Sequence, residues 1–395
     1  MLTNKTVLLG VTGGIAAYKS AALTSRLVKS GADVHVIMTE HACNFINPIT
    51  FETLTGNRCI TDTFDRNFQH QVEHVALAKM ADLFIIAPAT ANVIAKCTHG
   101  IADDMLTTTF LASRCTKLVA PAMNTAMYEN PITQNNLKAL ASYGVHVITP
   151  SSGYLACGDT GAGKMPEPDT LYNYIEKELA CEKDLLGKKV LITAGATCEA
   201  IDPVRFITNH STGKMGFALA NECMLRGADV TIVKAATTAT PPNFVNIIPV
   251  TSAQSMFEAV KEIACDQDII IKAAAVSDYT PATVSDQKLK KKDADMSIEM
   301  KRTTDILKYL GDHRNNNQYL CGFSMETENM LENSKKKLAK KNVDMIIANN
   351  LKDNGAGFGT DTNLVTIITK DATESFELMD KGQVAKIIVD RIIGK

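Results

Sequence analysis

Two stretches of the chain open alike. Lys5-Thr6-Val7-Leu8-Leu9-Gly10 and Lys189-Val190-Leu191-Ile192-Thr193-Ala194-Gly195 each set a basic residue before an apolar run and close on small residues. Such a run, bounded by turn residues, reads as a strand buried on both faces. The echo continues in Gly31-Ala32-Asp33-Val34-His35-Val36-Ile37 and Gly227-Ala228-Asp229-Val230-Thr231-Ile232-Val233, each a helix-ending glycine followed by a second strand. Two βαβ units therefore begin near residues 5 and 189. Apolar runs at 83–87, 117–120 and 145–148, separated by helix-length stretches, predict a parallel sheet covered on both faces in the first half. Runs at 269–274 and 345–348 repeat the pattern in the second half, and 364–369 followed by 375–378 reads as a late strand pair. The expected architecture is α/β, with two Rossmann-like domains of mainly parallel sheet at 1–180 and 189–395. A polar linker at 181–188 joins them.

A length of 395 residues agrees with two domains by the usual size range. Hydrophobic residues at 45% and charged residues at 21% are those of a soluble globular protein. A formal net charge of −2 argues against a broad nucleic-acid or anionic-membrane surface, which requires a basic excess. No apolar run reaches bilayer length and the amino end enters a strand directly, so a cytoplasmic location is expected. The ten cysteines are scattered, with no CxxC pair or zinc-type Cys/His spacing, and read as reduced thiols unless their neighbours say otherwise.

The first strand runs into Thr12-Gly13-Gly14 and then a helix, a turn able to hold a phosphate on backbone N–H groups. It lacks the GxGxxG fingerprint, and strand two ends in Met38-Thr39 where a dinucleotide site usually has its acidic residue. A mononucleotide fits better, although Glu40 follows at once and leaves a nicotinamide cofactor open. Three further segments belong with this turn: His74 in Val72-Glu73-His74-Val75, the loop Ala87-Pro88-Ala89-Thr90-Ala91-Asn92, and Ala120-Pro121-Ala122-Met123-Asn124-Thr125-Ala126-Met127-Tyr128. The last two follow strands, and loops at strand carboxyl ends converge on one crevice in an open α/β sheet. A glycine-rich loop, Ala156-Cys157-Gly158-Asp159-Thr160-Gly161-Ala162-Gly163-Lys164-Met165, is suited to closing over a substrate.

With its PxMNxxM and ACGDxGxGxM patterns, the segment from about 5 to 175 resembles the homo-oligomeric flavin-containing cysteine decarboxylases, specifically the phosphopantothenoylcysteine branch. The resemblance implies a flavodoxin-like domain, bound FMN and a site shared between subunits of a trimer. Thr12, Gly13, Gly14, Thr39, Pro88, Thr90 and Met123 would line the FMN. By the same resemblance His74 is the active-site base, able to exchange protons near neutral pH. Asn124 would hold the substrate carboxylate without adding charge, and Cys157 would donate the proton of the reductive half. An Asn after a strand is otherwise a turn residue, and Met123 and Met127 at i, i+4 are expected to pack. The chemistry asks for these types: carbon dioxide leaves easily only if the remaining carbanion is delocalised, and oxidation of the cysteinyl thiol by a flavin supplies that sink.

In the second half, Ile201-Asp202-Pro203-Val204-Arg205-Phe206-Ile207-Thr208-Asn209-His210-Ser211-Thr212-Gly213-Lys214-Met215-Gly216 resembles the signature of the bacterial phosphopantothenoylcysteine synthetases, out to about residue 392. The turn before a helix at 217–225 can cradle phosphate, although it is not a Walker loop. The resemblance implies a CTP-dependent ligase that forms an acyl-cytidylate with Mg²⁺ and then couples 4'-phosphopantothenate to cysteine. Its nucleotide site would be built from Ala274, Asp278, Lys288, Thr304, Asp305, Ile306, Leu307, Phe323, Lys337 and Lys341. Lys288 would act on the triphosphate, Asn209 would bind the acyl-cytidylate or its precursor carboxylate, and Arg205 would support the Asn209 loop or a neighbouring subunit. The implied assembly has decarboxylase trimers and ligase dimers in a dodecamer; the metal ligands stay open. Most lysines of runs such as 288–292 and 335–341 are otherwise solvated faces. The family's AGPTREPID run stands here as Ala194-Gly195-Ala196-Thr197-Cys198-Glu199-Ala200-Ile201-Asp202, and its glycine–proline after strand two as Lys234-Ala235-Ala236, which bears on affinity. A regulatory flavoprotein, or a flavin enzyme acting on peptidyl cysteine or a prenyl group, is the alternative; neither needs a cytidine-nucleotide half.

Overall fold

The computed structural model describes residues 2–64, 73–154, 158, 160–290, 296–326, 329–350, 357 and 359–394. It divides into two compact units, Met1–Cys181 and Glu182–Lys395.

The first unit carries strands β1 (Thr6–Val11), β2 (Asp33–Met38), β3 (Leu83–Ala89), β4 (Thr116–Pro121) and β5 (His146–Val147), and a hairpin of β6 (Ser151–Tyr154) and β7 (Thr160–Lys164). Its helices are α1 (Ala17–Lys29), α2 (Pro48–Thr55), α3 (Glu73–Met80), α4 (Ala91–His99), α5 (Met105–Ala112), α6 (Thr125–Glu129), α7 (Pro131–Ser142) and α8 (Pro168–Leu179). The sheet order is β2-β1-β3-β4-β5, all parallel, which is the flavodoxin-like order with its switch point between β1 and β3. Alternation along the strands feeds two cores. Leu9, Ile85 and Leu118 meet Leu23 and Leu27 of α1 and Leu171 and Ile175 of α8, while Leu8, Phe84 and Val119 meet Val93 of α4, Leu106 of α5 and Leu137 of α7. Each fully buried leucine contributes about 1.5–3 kcal/mol. Both strand faces are therefore apolar, which is why these strands read as unbroken hydrophobic runs.

The second unit carries β8 (Lys189–Ala194), β9 (Cys198–Ala200), β10 (Phe206–Thr208), β11 (Asp229–Lys234), β12 (Asn246–Pro249), β13 (Ile269–Lys272), β14 (Tyr279–Pro281), β15 (Met300–Arg302), β16 (Tyr319–Glu326), β17 (Met345–Asn350), β18 (Thr362–Asn363), β19 (Thr366–Thr369), β20 (Thr373–Ser375) and β21 (Met379–Asp380). Its helices are α9 (Lys214–Leu225), α10 (Ala253–Ile263), α11 (Ile306–His313), α12 (Met330–Lys340) and α13 (Lys381–Ile392). Eight strands form one sheet in the order β12-β11-β8-β13-β16-β17-β19-β20, with neighbours parallel except at β17–β19 and β19–β20, where β19 runs against the others. Helices α10, α11 and α12 share one core with the sheet through Val260, Leu310 and Leu338, and α9 and α13 pack together on the opposite face.

The expected late strand pair is β19–β20, and the helix expected from 217 begins three residues earlier, at Lys214. The stretch read as a polar linker is docked: Leu185 is buried, its N–H donates to Arg226 O (3.0 Å), and Lys183 Nζ donates to Leu225 O (2.6 Å). Among the described residues no helix is long and apolar enough to cross a membrane.

Candidate active sites

Each unit has a cleft at the carboxyl ends of its parallel strands. In the first unit a cleft of about 710 Å³ is walled by Gly13 to Ala16 after β1, Tyr18 and Lys19 of α1, Phe45, Thr90 and Ala91 after β3, Ala122 to Asn124 after β4, Met127 of α6, and Tyr154 and Gly163 to Met165 of the hairpin. The volume falls within the roughly 300–1,000 Å³ of cofactor pockets. Tyr18, Phe45, Met123 and Met127 suit a flat aromatic ring. The start of α1 has no acidic residue in its first turn and no side-chain cap, so it suits a phosphate. Gly13 is needed for close approach, because a Cβ there would lie 2.5 Å from the Cβ of His41.

The expected FMN residues divide. Gly13, Gly14, Thr90 and Met123 line the cleft. Thr12 and Pro88 lie beneath it and brace each other: Thr12 Oγ1 donates to Pro88 O (2.8 Å) and accepts from Thr90 N–H (3.1 Å), locking the loops after β1 and β3 together. Thr39 is buried, its hydroxyl accepting from Ala42 N–H at the start of a 3₁₀ turn. Asn124 lines the cleft while its Oδ1 caps α6, accepting from Ala126 N–H (2.8 Å) and Met127 N–H (3.4 Å). With the carbonyl fixed, the amide end of the side chain is the donor, the correct polarity for a carboxylate. Met127 does not pack as expected; it is 49% exposed at the cleft rim. His74 stands near the start of α3, which packs against α5, and does not line the cleft of its own chain. Cys157 lies outside the described residues, in the connection of the β6–β7 hairpin.

That hairpin sits close on the Asn124 loop. Gly163 has φ +119°, a Cβ there would lie 2.4 Å from Met123 O, and Met123 N–H donates to Gly163 O (3.0 Å). Lys19, which the sequence did not single out, is buried with Nζ on Met165 O (3.2 Å) and Glu167 Oε1 (2.8 Å) at the hairpin root. The rim carries exposed apolar side chains, Ile15 (61%), Tyr18, Phe45 and Tyr154 (72%).

The second cleft, about 450 Å³, has a different lining: Asn209 and Ser211 to Gly216, Lys272 to Val276 with Asp278, Phe323 to Met325, Lys337, Asn349, Gly357, Asn363 and Lys381. Four lysines reach it from both faces of the sheet. Lys214 and Lys381 come from the starts of α9 and α13, Lys272 from the end of β13 and Lys337 from α12. Burial pushes the Lys272 ammonium down to about 8, with Lys337 adding to the effect. Burial also lowers the Lys381 ammonium, whose Nζ donates to Gly357 O (3.2 Å) and Thr360 O (2.5 Å). The small-residue loop after β13 is pinned by Ala274 N–H to Thr193 Oγ1 (3.1 Å) and by Asn209 Nδ2 to Ala275 O (3.2 Å). Asn349 Oδ1 is buried and has no hydrogen-bond partner among the described residues.

Of the expected nucleotide residues, Ala274, Asp278, Phe323 and Lys337 line this cleft, as does Asn209. Thr304, Asp305, Ile306 and Leu307 do not. Asp305 caps α11 by accepting from Lys308 N–H (3.0 Å), so Ile306 and Leu307 begin an amphipathic helix whose buried side they form, at 1% and 3% exposure. Lys341 pairs with Asp305 instead of lining the cleft. Lys288 is exposed outside it, on a stretch held by a clasp. Buried Asp202 accepts from Arg205 Nε (3.0 Å) and NH2 (2.6 Å) and from Leu289 N–H (3.1 Å), and Arg205 donates to Leu289 O (2.8 Å). Arg205 thus ties Asp202 to the stretch that carries Lys288, where support of the Asn209 loop was expected. Among the described residues no group of three or more His, Cys, Asp or Glu is placed to hold a metal.

Residues 1–180 match the family model described as Flavoprotein, and residues 185–395 match that described as DNA/pantothenate metabolism flavoprotein C-terminal domain. The Bacillus subtilis coenzyme A biosynthesis bifunctional protein CoaBC is 50% identical over 99% of this chain and 97% of its own length. A protein from an unknown prokaryotic organism, named cysteine/cysteine sulfinic acid decarboxylase, is 46% identical over 88% of this chain and 99% of its own. The solved C-terminal domain of a coenzyme A biosynthesis bifunctional protein CoaBC is 42% identical, covering 53% of this chain and 96% of that one, with a TM-score of 0.46. Matched in both halves and along nearly its whole length, the chain belongs to the CoaBC family and is a bifunctional enzyme of coenzyme A biosynthesis.

Proposed function

We propose that the second unit joins 4'-phosphopantothenate to cysteine at the expense of CTP, and that the first unit decarboxylates the product to 4'-phosphopantetheine with FMN. The observation that carries this reading is the pairing, in one chain, of an apolar cleft beside a helix start with a cleft lined by four lysines. A carboxylate is a poor electrophile, and the lysine cleft suits a triphosphate that turns it into an acyl-cytidylate before the amine of cysteine displaces CMP. Asn209 holds the acyl end, Ala274, Asp278, Phe323 and Lys337 the nucleotide, and Lys288 closes on the triphosphate. Mg²⁺ enters bound to CTP, in keeping with a cleft that has few carboxylates of its own.

In the first unit Asn124 takes the substrate carboxylate, with Gly13, Gly14, Thr90 and Met123 around the flavin. FMN bound there supplies a two-electron oxidant for the thiol and returns the electrons after carbon dioxide has left. His74 acts as base from a neighbouring copy, and Cys157 delivers the proton of the reductive half from the hairpin. Assembly of copies is supported by the exposed apolar rim of the first cleft, and by Val204 (58%) and Phe206 (57%) on the β9–β10 ribbon of the second unit. Trimers through the first unit and dimers through the second close a dodecamer, and the location is cytoplasmic.

The test uses purified full-length protein. It is yellow, and with phosphopantothenate, cysteine, CTP and Mg²⁺ it releases pyrophosphate and then carbon dioxide. Colourless protein inert with all four overturns the reading.

A further inference from the structure

Lys272 closes the apolar run Ile269-Ile270-Ile271 on the central strand β13, in register with Thr193 of β8 and Gly322 of β16. It shares the cleft with three other lysines, and those have protein acceptors. Lys214 is held by Asp361 Oδ1 (2.7 Å) and Gly359 O (3.1 Å), Lys381 by two carbonyl oxygens, and Lys337 by Ser324 Oγ (3.5 Å). Lys341, the nearby cation outside the lining, is paired with Asp305. The Lys272 ammonium forms no ion pair or hydrogen bond among the described residues, although Lys337 and Lys341 repel it and only Asp278 attracts it. A desolvated ammonium facing like charges without a counterion is unfavourable in the empty protein, and a bound anion relieves it. Position says which part of the ligand that is. Lys272 lies three residues before Ala275, whose carbonyl is gripped by Asn209 (3.2 Å), and the phosphate-cradling turn of residues 211–216 stands across the same cleft. The residue therefore faces the junction between the acyl and nucleotide parts.

We infer that Lys272 is a further catalytic residue of acyl activation, its ammonium contacting the α-phosphate of the nucleotide as the carboxylate attacks it. The inference rests on the ligase reading above. In the step, a carboxylate oxygen forms a bond to the α-phosphorus while the bond from that phosphorus to the bridging oxygen of the β-phosphate breaks. The bridging oxygen keeps the electron pair and leaves as pyrophosphate. Nothing is oxidised or reduced, and Lys272 keeps its proton throughout, acting by charge where negative charge builds.

The test is the single-turnover burst of pyrophosphate from CTP, Mg²⁺ and phosphopantothenate without cysteine, so that neither the thiol nor the amine of cysteine contributes to the pH profile. Lys272→Met slows the burst about 100-fold, the scale of losing one preorganised charge donor, while half-saturation by CTP moves less than about fivefold. Lys272→Arg restores at least a tenth of the rate. Facing Lys272 are Lys337 of α12 and Lys341 just after it, Asp278, and Lys214 and Lys381 across the cleft; Thr193 and Gly322 bring no titratable group. The burst rate over KM reports the free enzyme. In wild type it falls as pH rises through about 8, where Lys272 loses its charge, and in Lys272→Arg it stays level to about pH 9 because a guanidinium holds its proton. A Lys272→Met burst within threefold of wild type, or an alkaline fall kept by Lys272→Arg, overturns the inference. Wild-type protein that gives no burst overturns the ligase reading and this inference with it.

Discussion

Gly163 lets the β6–β7 hairpin lie on the Asn124 loop, and Gly163→Ala tests how much that seat matters. The alanine Cβ would start 2.4 Å from Met123 O, where carbon rarely comes closer than 3.0 Å, so the hairpin must lift by about 0.6 Å or more. Holding a non-glycine residue at φ +119° adds about 1–3 kcal/mol of strain. Lengthening the bond from Met123 N–H to Gly163 O removes about 1 kcal/mol more. Together these are enough to unseat a two-stranded hairpin without unfolding the unit, since the cores meet this contact only at their margins, through Met165 and the partly buried Met123. The proton donor proposed above, Cys157, falls between β6 and β7 in the sequence, and a displacement near 1 Å at a reacting group can reduce rate about 100-fold. Thiol product formed from supplied phosphopantothenoylcysteine should therefore fall 10- to 100-fold, while CTP-dependent pyrophosphate release stays unchanged. Decarboxylation within twofold of wild type would refute the claim that the hairpin's seat positions the proton donor.

Two other changes probe the second unit. Arg226 is buried, with Nε on Glu222 (2.7 Å) and further pairs to Asp390 and Asp184, so Arg226→Met strands three carboxylates and should cost about 3–5 kcal/mol. In calorimetry that lowers the ligase transition by roughly 10 °C, leaving the temperature of flavin release unchanged; a shift under about 2 °C contradicts it. Asp202→Asn loosens the clasp on the Lys288 stretch and should cut ligase turnover 10- to 100-fold without affecting decarboxylation. Arg205 holds the Asp202 carboxyl well below the usual carboxylate range. Its stabilising effect is therefore present above the ordinary carboxylate value and lost only as pH falls through the depressed one. Protease resistance of the 283–290 stretch should accordingly persist at pH 4 in wild type, and its loss there would count against the clasp.

The strands were legible because each central strand is buried on both faces, leaving runs such as Val7-Leu8-Leu9 and Ile269-Ile270-Ile271 that need no partner to be recognised. The β6–β7 hairpin was not, since Thr160-Gly161-Ala162-Gly163-Lys164 has little strand preference and its place is fixed by the surface of Met123 and Thr125. Loops at strand ends were legible as cleft walls by the switch-point rule. Roles inside them were harder to read. Asn, Asp and Thr serve equally as ligand contacts, caps and braces: Thr12 braces two loops, Asp305 caps a helix and Leu307 is buried, none of which the sequence pattern indicated. Lys381 left no local sign, because its cleft is assembled from strands far away in the chain. Lys272 left one: a cation ending a buried strand asks for a reason.

The central claim is that one chain activates an acyl group and then decarboxylates only the product of that activation. Carboxyl-labelled cysteine tests it most directly, by counting labelled carbon dioxide against pyrophosphate. One label should be released for each pyrophosphate, and none when CTP or phosphopantothenate is left out. Label lost from cysteine alone, without pyrophosphate, would contradict the account and make free cysteine the substrate of the first cleft.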